Sequence, residues 1–258
     1  MRTDISGRQR SIMEFIREYG TVQVNDLSAH LQVTPQTIRR DLNRLYDLEL
    51  LEPTHGGAVI KDSDENLGYG TRQILMADEK TAIARQAAQI ISDDDSMFVN
   101  LGTTTERVAE YLVDRKGILV VTNNINVAST LWPSRSIDVM IAGGRIRHAD
   151  GGIIGTDTEE FVDKFTTDYA IIGCSAIADS GEFFDYDLRE VRVTQAIIRQ
   201  ARSAILVADS MKLARRAPVR VGTLADVDII VTDAGISDEF VDLCRKNNVE
   251  VKIAKPSD

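Results

Sequence analysis

The sequence predicts an α/β protein of two domains: a small N-terminal unit of helices with a β-hairpin, and a larger unit built on a mostly parallel sheet. Three observations lead to this fold class. Apolar residues recur at helical spacing near the N-terminus, short β-branched runs alternate with helical patterns after residue 96, and a charged, glycine-containing stretch lies between the two regions. The predicted boundaries are 1–60 for the first domain, 61–76 for a linker and 77–258 for the second domain.

Two helices are predicted before residue 34. The first is amphipathic, because apolar residues stand at i, i+3, i+4 and i+7, and it ends at Gly20. A very short extended piece with Val22 and Val24 follows, and Asn25 is expected to cap the second helix. A turn over 32–35 then leads into a third helix. The apolar residues of the first two helices are Ile12, Phe15, Ile16, Tyr19, Leu27 and Leu31.

The third helix, over 34–45, is predicted to bury one narrow face and to present cations and amides on the other. Thr34 suits the N-cap, and Pro35 suits the first helical position, where its missing N–H is not needed. At about 100° per residue, Ile38, Leu42 and Leu45 share the apolar face. Guanidinium and amide groups contact phosphates and base edges in a major groove. The predicted DNA-binding residues are Gln36, Thr37, Arg39, Arg40, Asn43 and Arg44.

A short hairpin is predicted behind this helix, with a turn at Gly56-Gly57, so the first domain fits a winged helix-turn-helix. The alternative interpretation is an ordinary surface helix with a solvated arginine face. The protein has a net charge of −10; its first sixty residues hold seven arginines and eight acidic residues, which leaves −9 for the rest. Because an acidic body repels DNA, contact is expected from a localised patch on the first domain. The hairpin is predicted from Leu48, Leu50 and Leu51.

The second domain is predicted as a parallel sheet covered by helices on both faces. A helix through Ile83–Ile91 precedes the first of its strands. The predicted strands are 97–99, 118–121, 137–141, 170–172, 204–207, 229–231 and 249–253. The predicted helices lie near 104–112, 124–131, 157–164, 188–201 and 237–246.

Several predicted strands end in residues suited to an anionic, hydroxylated small molecule, and in open parallel sheets ligands bind beyond the carboxyl ends of the strands. We expect a phosphate on Gly102, Thr103 and Thr104, where a strand runs into a helix, with Lys212 and Arg145 as counter-charges. The alternative at each position is ordinary turn chemistry. The other predicted effector-binding residues are Asn123 and Asp209, which are expected to hold hydroxyls, and Gly143, Asp150, Gly151 and Gly152.

Several classes of protein are not indicated. The glycine spacing and lysine of a nucleotide P-loop are missing, and no catalytic residue, cofactor or metal site is predicted. No apolar run approaches the roughly 20 residues that span a bilayer. The polar N-terminus lacks the apolar core of a signal peptide, so a cytoplasmic protein with no membrane partner is expected. Cys174 and Cys244 match no metal-ligand or redox spacing and are expected to be buried thiols.

Motifs along nearly the whole chain, from Thr37–Asn43 and His55–Ala58 to Asp209–Lys212, resemble those of the DeoR-type bacterial repressors. Three stretches are most similar to the glycerol-3-phosphate repressor branch: Val121–Ala128, Asp150–Gly155 and Phe184–Arg192. The resemblance implies a sensor domain related to ribose-phosphate isomerases, release from a double-stranded DNA operator by a phosphorylated polyol or sugar, and a homo-oligomer, dimer or tetramer. The motifs are Thr37-Ile38-Arg39-Arg40-Asp41-Leu42-Asn43, His55-Gly56-Gly57-Ala58, Gly102-Thr103-Thr104, Thr122-Asn123-Asn124, Ala142-Gly143-Gly144, Asp150-Gly151-Gly152-Ile153-Ile154-Gly155, Phe184–Arg192 and Asp209-Ser210-Met211-Lys212.

Three positions depart from the family pattern. Pro53, preceded by Glu52, stands where the wing usually has an arginine; Glu49 stands where glycine is common; and Asn100 stands where an acid often precedes the phosphate loop. Two other functions are weighed against the repressor. One is a sugar-phosphate isomerase with an accessory domain, for which Glu190, or else Asp150 or Asp209, is the candidate base. The other is a constitutive DNA-binding protein whose second domain only dimerises.

Overall fold

A computed structural model describes residues 5–48, 50–60 and 68–255. The chain separates into two compact units, Met1–Ala77 and Asp78–Asp258. Across the described ranges, no helix has both the length and the apolar character needed to cross a membrane. In the same part of the chain, no cluster of three or more His, Cys, Asp or Glu side chains is placed to hold a metal ion.

The N-terminal unit consists of small helices around a three-stranded antiparallel sheet of order β1–β3–β2. The first helix begins with a capping box, because Ser6 accepts from the Gln9 N–H while the Gln9 side chain accepts from the Ser6 N–H. The elements are α1 (Gly7–Tyr19), β1 (Val22–Gln23), α2 (Val24–His30), α3 (Pro35–Asp47), β2 (Leu51–Thr54), β3 (Gly57–Ile60) and α4 (Tyr69–Ile74).

The start of α2 differs from the prediction. Gln23, not Asn25, is the N-cap, and it forms no side-chain capping bond. The Val24 N–H donates to the Gly56 carbonyl at 3.1 Å, next to the pairing of β1 with β3. Since this sheet contact fixes the backbone at Val24, the helix begins there, and Asn25 falls within its first turn.

The predicted linker is also wrong in part. Residues 61–67 lie outside the described residues, but Tyr69–Ile74 form α4. Ile74 and Leu75 are buried in the core of the N-terminal unit, with residues of α1 and α3. Two adjacent apolar side chains therefore outweigh the charged and glycine-rich composition from which a linker was predicted. The core residues supplied by the first three helices are Ile12, Met13, Ile16, Leu27, Ile38, Leu42 and Leu45.

One acidic side chain of α3 lies inside this unit. Asp41 is 4% exposed, and its carboxylate accepts from Arg8 Nε at 2.6 Å and from Gln9 Nε2 at 3.1 Å. The hydrogen bond to Asp41 raises the pKa of Arg8, with the charge of Asp41 acting in the same direction. Asp41 therefore ties α1 to α3 and fixes the helix whose opposite side carries the arginines.

We expect Asp41→Ala to lower the free energy of unfolding of the N-terminal unit by about 1–3 kcal/mol, because two donors then lose a charged acceptor. Urea titration of the full chain, followed by hydrogen exchange of α1 and α3 amides, measures the change. Asp47→Ala is the matched control, since Asp47 is an exposed aspartate of the same helix. Equal protection of the two variants would contradict a role of Asp41 in joining the helices.

The second unit is built on a sheet in which, among the described residues, seven strands run parallel in the order β15–β14–β12–β9–β4–β5–β6. Its strands are β4 (Ser96–Val99), β5 (Leu119–Thr122), β6 (Asp138–Ile141), β9 (Thr167–Ile172), β12 (Ala201–Val207), β14 (Ile229–Thr232) and β15 (Glu250–Ile253). Its helices are α5 (Ala77–Ala88), α6 (Thr103–Leu112), α7 (Ile125–Leu131), α8 (Thr156–Val162), α9 (Leu188–Arg199) and α10 (Asp238–Lys246).

Both faces of this sheet are covered, as predicted. One core contains residues of α5, α6 and α7, and the other contains residues of α8, α9 and α10. Short antiparallel strands that the sequence analysis missed form two small additional sheets. They are β7 (Arg145–Ile146), β8 (Ile153–Ile154), β10 (Ala176–Ile177), β11 (Glu182–Asp185) and β13 (Val219–Thr223).

Candidate functional site

The helix-turn-helix is formed by α2, a tight connection and α3. Ser28 Oγ donates to the Val33 carbonyl at 2.5 Å, and Gln32 adopts a positive φ of 53°, so the connection is held in one conformation. Thr34 caps α3 as predicted: its hydroxyl accepts from the Thr37 N–H at 3.3 Å. The Thr37 hydroxyl lies 2.9 Å from that of Thr34 and is half-buried, so Thr37 takes part in the cap.

The outer face of α3 presents the predicted polar residues to solvent. Ile38, Leu42 and Leu45 are buried on the opposite side. The described residues include no ion-pair partner for Arg39, Arg40 or Arg44, and so these guanidinium groups are available to an external anion. The exposed residues of this face are Gln36, Arg39, Arg40, Asn43 and Arg44.

The wing is the hairpin of β2 and β3, and it carries little positive charge. Residues 51–60 contain no lysine or arginine, whereas Glu52 is exposed. Pro53 fits because β2 is an edge strand, where a missing N–H breaks no inner ladder. A Cβ at Gly57 would lie 1.8 Å from the Val22 carbonyl oxygen, so only glycine allows β3 to approach β1. Glu49 lies outside the described residues.

In the second unit, the strand order reverses at the neighbouring strands β4 and β9. From β4 the chain proceeds to β5 and β6 on one side, and from β9 to β12, β14 and β15 on the other. Ligands of open parallel sheets bind at such a switch point, beyond the carboxyl ends of the strands. Gly173 follows β9 at this point, and a Cβ there would lie 3.7 Å from the Leu101 oxygen and 3.9 Å from the Val207 oxygen. The ends of β4, β9 and β12 therefore converge.

The predicted anion loop lies directly beside the switch point. Gly102 is the N-cap of α6, with a φ of 142°, and Thr103 and Thr104 begin the helix. Thr105 Oγ1 lies 2.8 Å from both the Asn100 and the Gly102 carbonyl oxygens and fixes the loop. The N–H groups of a first helical turn have no acceptor within their own helix and point toward its N-terminal end, where an anion is stabilised.

The end of β5 is closed by the hairpin of β7 and β8. Asn123 Nδ2 donates to the Ile153 carbonyl at 3.1 Å, and the Ile153 N–H donates to the Asn123 carbonyl at 2.7 Å. A Cβ at Gly152 would lie 2.7 Å from Leu101 Cδ1, and one at Gly151 would lie 3.6 Å from Ile125 Cβ. Gly152 therefore acts through its close approach to the end of β4, whereas Gly151 is favoured by its positive φ of 73°.

Two predicted residues lie on the exposed part of the same hairpin segment. Gly143 and Arg145 are exposed and follow β6, the edge strand on this side of the sheet. We call the carboxyl ends of the strands around the switch point the switch-point edge. Of the predicted effector-binding residues, those buried at this edge are Thr103, Thr104, Asn123, Asp209 and Lys212.

An ion-pair cluster that was not predicted from the sequence lies between this hairpin and α9. Arg147 contacts Asp150 at 2.6 Å, Glu190 at 2.6 Å and Asp187 at 3.4 Å. Burial disfavours the charged guanidinium, but the hydrogen bond to Asp150 and the charge of Glu190 outweigh it and raise the pKa of Arg147. The carboxylates of Asp150 and Glu190 are therefore engaged by an arginine, a pairing that sequence spacing alone does not reveal.

The end of β12 brings a buried lysine and a buried acid to the switch point. Asp209 is 2% and Lys212 9% exposed, and both belong to the turn that follows β12. Burial raises the pKa of the neighbouring Cys174 thiol to about 12; the charge of Lys212 lowers that pKa, while the charges of Asp185 and Asp209 raise it. Cys174 is therefore a protonated thiol at neutral pH, and Lys212 supplies positive charge at this edge.

Two family models match the chain. One, described as the DeoR-like helix-turn-helix domain, covers residues 8–64, and the other, described as the DeoR C terminal sensor domain, covers residues 75–234. The glycerol-3-phosphate regulon repressor of Escherichia coli (strain K12) is 40% identical over 88% of this chain and 90% of its own length. The glycerol-3-phosphate regulon repressor of Haemophilus influenzae is 42% identical over 87% of this chain and 88% of its own length.

Among solved structures, ribose 5-phosphate isomerase A from Methanocaldococcus jannaschii aligns with 54% of this chain and 55% of that chain. The TM-score is 0.40 and the sequence identity is 13%.

Proposed function

We propose that this chain, which belongs to the DeoR family, is a DNA-binding transcriptional repressor whose operator affinity is controlled by a phosphorylated polyol or sugar, with glycerol 3-phosphate as the first candidate. The observation that carries the proposal is the outer face of α3, where arginines without partners among the described residues flank amide side chains. The relatives named above, which are repressors of a glycerol-3-phosphate regulon, support it.

The geometry of α3 supports different roles for its arginines. The buried face of α3 consists of Ile38, Asp41, Leu42 and Leu45. At about 100° per residue, Gln36, Arg40 and Asn43 project within roughly 30° of the direction opposite this face, whereas Arg39 and Arg44 project to either side. A recognition helix places its central residues against base edges and its flanking cations against phosphates. We therefore assign base contacts to Gln36, Arg40 and Asn43, phosphate contacts to Arg39 and Arg44, and an N-terminal capping role to Thr37.

The effector site of the proposal is the switch-point edge of the second unit. The phosphate is placed at the N-terminus of α6, on Gly102, Thr103 and Thr104, with Lys212 as its counter-charge. Gly151 and Gly152 shape the edge beside Asn123, and Asp150 positions their loop through Arg147. Gly143 and Arg145, which are exposed after the edge strand β6, stay predicted effector contacts at the rim of this site.

We further propose that the second unit senses its ligand without converting it. An isomerase needs a carboxylate base that is placed on the substrate. Two of the three candidate bases are engaged instead by one arginine: Glu190 forms an ion pair with Arg147 at 2.6 Å, and Asp150 contacts the same guanidinium. Asp209 is the remaining candidate, and the turnover assay described below tests it. An operator-binding protein acts in the cytoplasm, and we expect it to work as a homo-oligomer, since paired half-sites match a symmetric protein.

The test is a titration of the full-length protein on the DNA upstream of its own gene, with phosphorylated polyols and sugars added one at a time. We expect a specific complex that glycerol 3-phosphate weakens about 5- to 150-fold, the usual range of coupling between two sites. Release by a hexose or pentose phosphate instead would replace glycerol 3-phosphate within the same proposal. A complex that none of the compounds weakens would identify a constitutive DNA-binding protein, and turnover of a sugar phosphate would identify an enzyme.

A further inference from the structure

Three buried oxygens at the switch-point edge lack a hydrogen-bond donor. Among the described residues, the buried side-chain atoms without a partner include Asn100 Oδ1, Asn123 Oδ1 and Asp209 Oδ1. These are the members of that set that can only accept a hydrogen bond, since the others are arginine nitrogens and threonine hydroxyls. Their residues are at most 2% exposed, and an unsatisfied buried acceptor is costly, so each needs an explanation.

We propose that these oxygens recognise hydroxyl groups of the effector, two of the three oxygens in the case of glycerol 3-phosphate, so that the site selects a phosphorylated polyol over the analogue with a carbonyl at the same carbon. The inference rests on the proposed function and adds to it the chemical group that is recognised. It also makes Asn100, which the sequence analysis did not include among the binding residues, a determinant of specificity.

The orientation of the Asn100 amide is fixed by a chain of hydrogen bonds. Thr194 Oγ1 donates its hydrogen to the Glu190 carbonyl at 3.0 Å, so it accepts from Asn100 Nδ2, which lies 2.8 Å away. A reversed amide would place Oδ1 against an oxygen whose hydrogen is already used. The oxygen of Asn100, and not its nitrogen, is therefore the atom left without a partner.

The orientation of the Asn123 amide is fixed in the same way, by the partner of its nitrogen. Asn123 Nδ2 donates to the Ile153 carbonyl at 3.1 Å, and a carbonyl only accepts, so Asn123 Oδ1 faces away from the hairpin. The carboxylate of Asp209 needs no such assignment, because both of its oxygens accept when it is ionised. All three sites consequently require donors.

The topology places the three residues on one edge. Val99 of β4 is in register with Thr122 of β5, so Asn100 and Asn123 follow side by side, at the roughly 4.8 Å spacing of neighbouring strands. Asp209 follows β12, whose end converges with that of β4 around Gly173. A ligand with its phosphate at Gly102 would extend its carbon chain along these acceptors.

A hydroxyl fits this set and a carbonyl does not. Each hydroxyl donates one hydrogen to a waiting oxygen, whereas a carbonyl oxygen brings a second acceptor and leaves the protein oxygen unpaired. Sites that hydrogen-bond a ligand hydroxyl reject analogues without it much more strongly than apolar pockets reject a missing methylene. We expect the phosphorylated polyol to bind at least about 100-fold more tightly than its carbonyl analogue.

The experiment compares two matched pairs by calorimetry on the full-length protein: glycerol 3-phosphate with dihydroxyacetone phosphate, and xylitol 5-phosphate with xylulose 5-phosphate, whose ketone cannot close to a furanose. Inorganic phosphate reports the anion contribution alone. We expect the polyol of at least one pair to bind about 100-fold more tightly than its carbonyl partner. Equal affinity within a pair that binds would overturn this inference and leave the repressor proposal in place. If none of the five compounds binds, both effector control and the inference fail.

Variants at Asn100 test the residue itself. Asn100→Leu removes the acceptor and should reduce the preference for the polyol to less than about 10-fold, whereas Asn100→Asp keeps an oxygen and should retain the preference. Thr232→Val is the matched control, because Thr232 also has a buried unpartnered oxygen but is the last residue of the more distant β14. An unchanged preference in Asn100→Leu, or an equal loss in Thr232→Val, would overturn the assignment. The ratio of two affinities is the readout, so a general loss of stability does not imitate the expected result.

Discussion

Replacing Arg40 with alanine is expected to weaken operator binding about 10- to 100-fold and to relax sequence preference at one base pair of each half-site. Arg40 projects from the middle of the exposed face of α3, and a base-reading arginine contributes about 1–3 kcal/mol. The wing offers no cation within residues 51–60, so there is little basis for compensation by the hairpin. Fluorescence anisotropy with the operator and with single-base variants at several salt concentrations measures both effects.

Two further substitutions separate base reading from phosphate contact. Arg39→Ala should weaken binding to all sequences about equally and should lower the salt slope by about one. Arg245→Ala is the control for loss of one positive charge, because Arg245 is an exposed arginine of α10 in the other unit. If Arg40→Ala binds the operator with the affinity and salt slope of the native protein, α3 is not the recognition helix in the way proposed.

The regular elements of the second unit could be predicted because burial dictates their composition. A strand such as β4, covered on both faces, is an uninterrupted apolar run, and Met97, Phe98 and Val99 show it directly. The amphipathic pattern of α3 is equally local, with buried residues at 38, 42 and 45. In both cases the signal lies within a few consecutive residues.

Elements whose stability depends on distant partners could not be predicted. The strands β10, β11 and β13 are short and pair with one another across many residues, and their sequences carry no distinct alternation. The stretch that contains α4 has the composition of a linker. The helix forms there because Ile74 and Leu75 pack into the core formed by the preceding sixty residues. Composition alone does not contain that information.

The candidate effector site was predictable where it depends on the ends of strands. Gly102, Asn123 and Asp209 each lie two or three residues after the end of a predicted strand, and parallel strands bring their carboxyl ends to one edge. Arg147 was missed because its partners Asp187 and Glu190 lie about forty residues further along the chain. Asn100 was noted only as a departure from a family pattern, since its unpaired oxygen becomes evident once Thr194 is placed beside it.

The local charges of the two units explain how an acidic protein can bind two anions. In the N-terminal unit, Asp41 is internally paired with Arg8, so this acid in the middle of α3 does not oppose the outward arginines. In the second unit, Lys212 is buried among acids at the switch point, where it is the cation that the proposal assigns to the phosphate. Under the proposed function each anion meets a local cation, even though the net charge is −10.

Replacing Lys212 with methionine is expected to abolish release from the operator at effector concentrations that release the native protein. Methionine fills a similar volume but removes the positive charge at the phosphate. Truncating one partner of a buried charge pair costs about 2–5 kcal/mol, so effector affinity should fall roughly 100-fold or more. Operator affinity without effector should stay within about twofold of the native value, because Lys212 belongs to the other unit. Calorimetry with glycerol 3-phosphate and anisotropy with operator DNA give the two constants.

Two controls separate the charge from the fold. Lys246→Met makes the same change at an exposed lysine in the last turn of α10 and should leave both constants unchanged. Lys212→Arg keeps the charge and should recover part of the release from the operator by glycerol 3-phosphate. If the substitutions acted only by disturbing packing, Lys212→Met and Lys212→Arg would lose this release to the same extent. Retention of native effector affinity by a folded Lys212→Met protein would show that the phosphate binds elsewhere. Since α6 supplies only backbone N–H groups and hydroxyls, that result would remove the charge complementarity on which the placement of the phosphate depends.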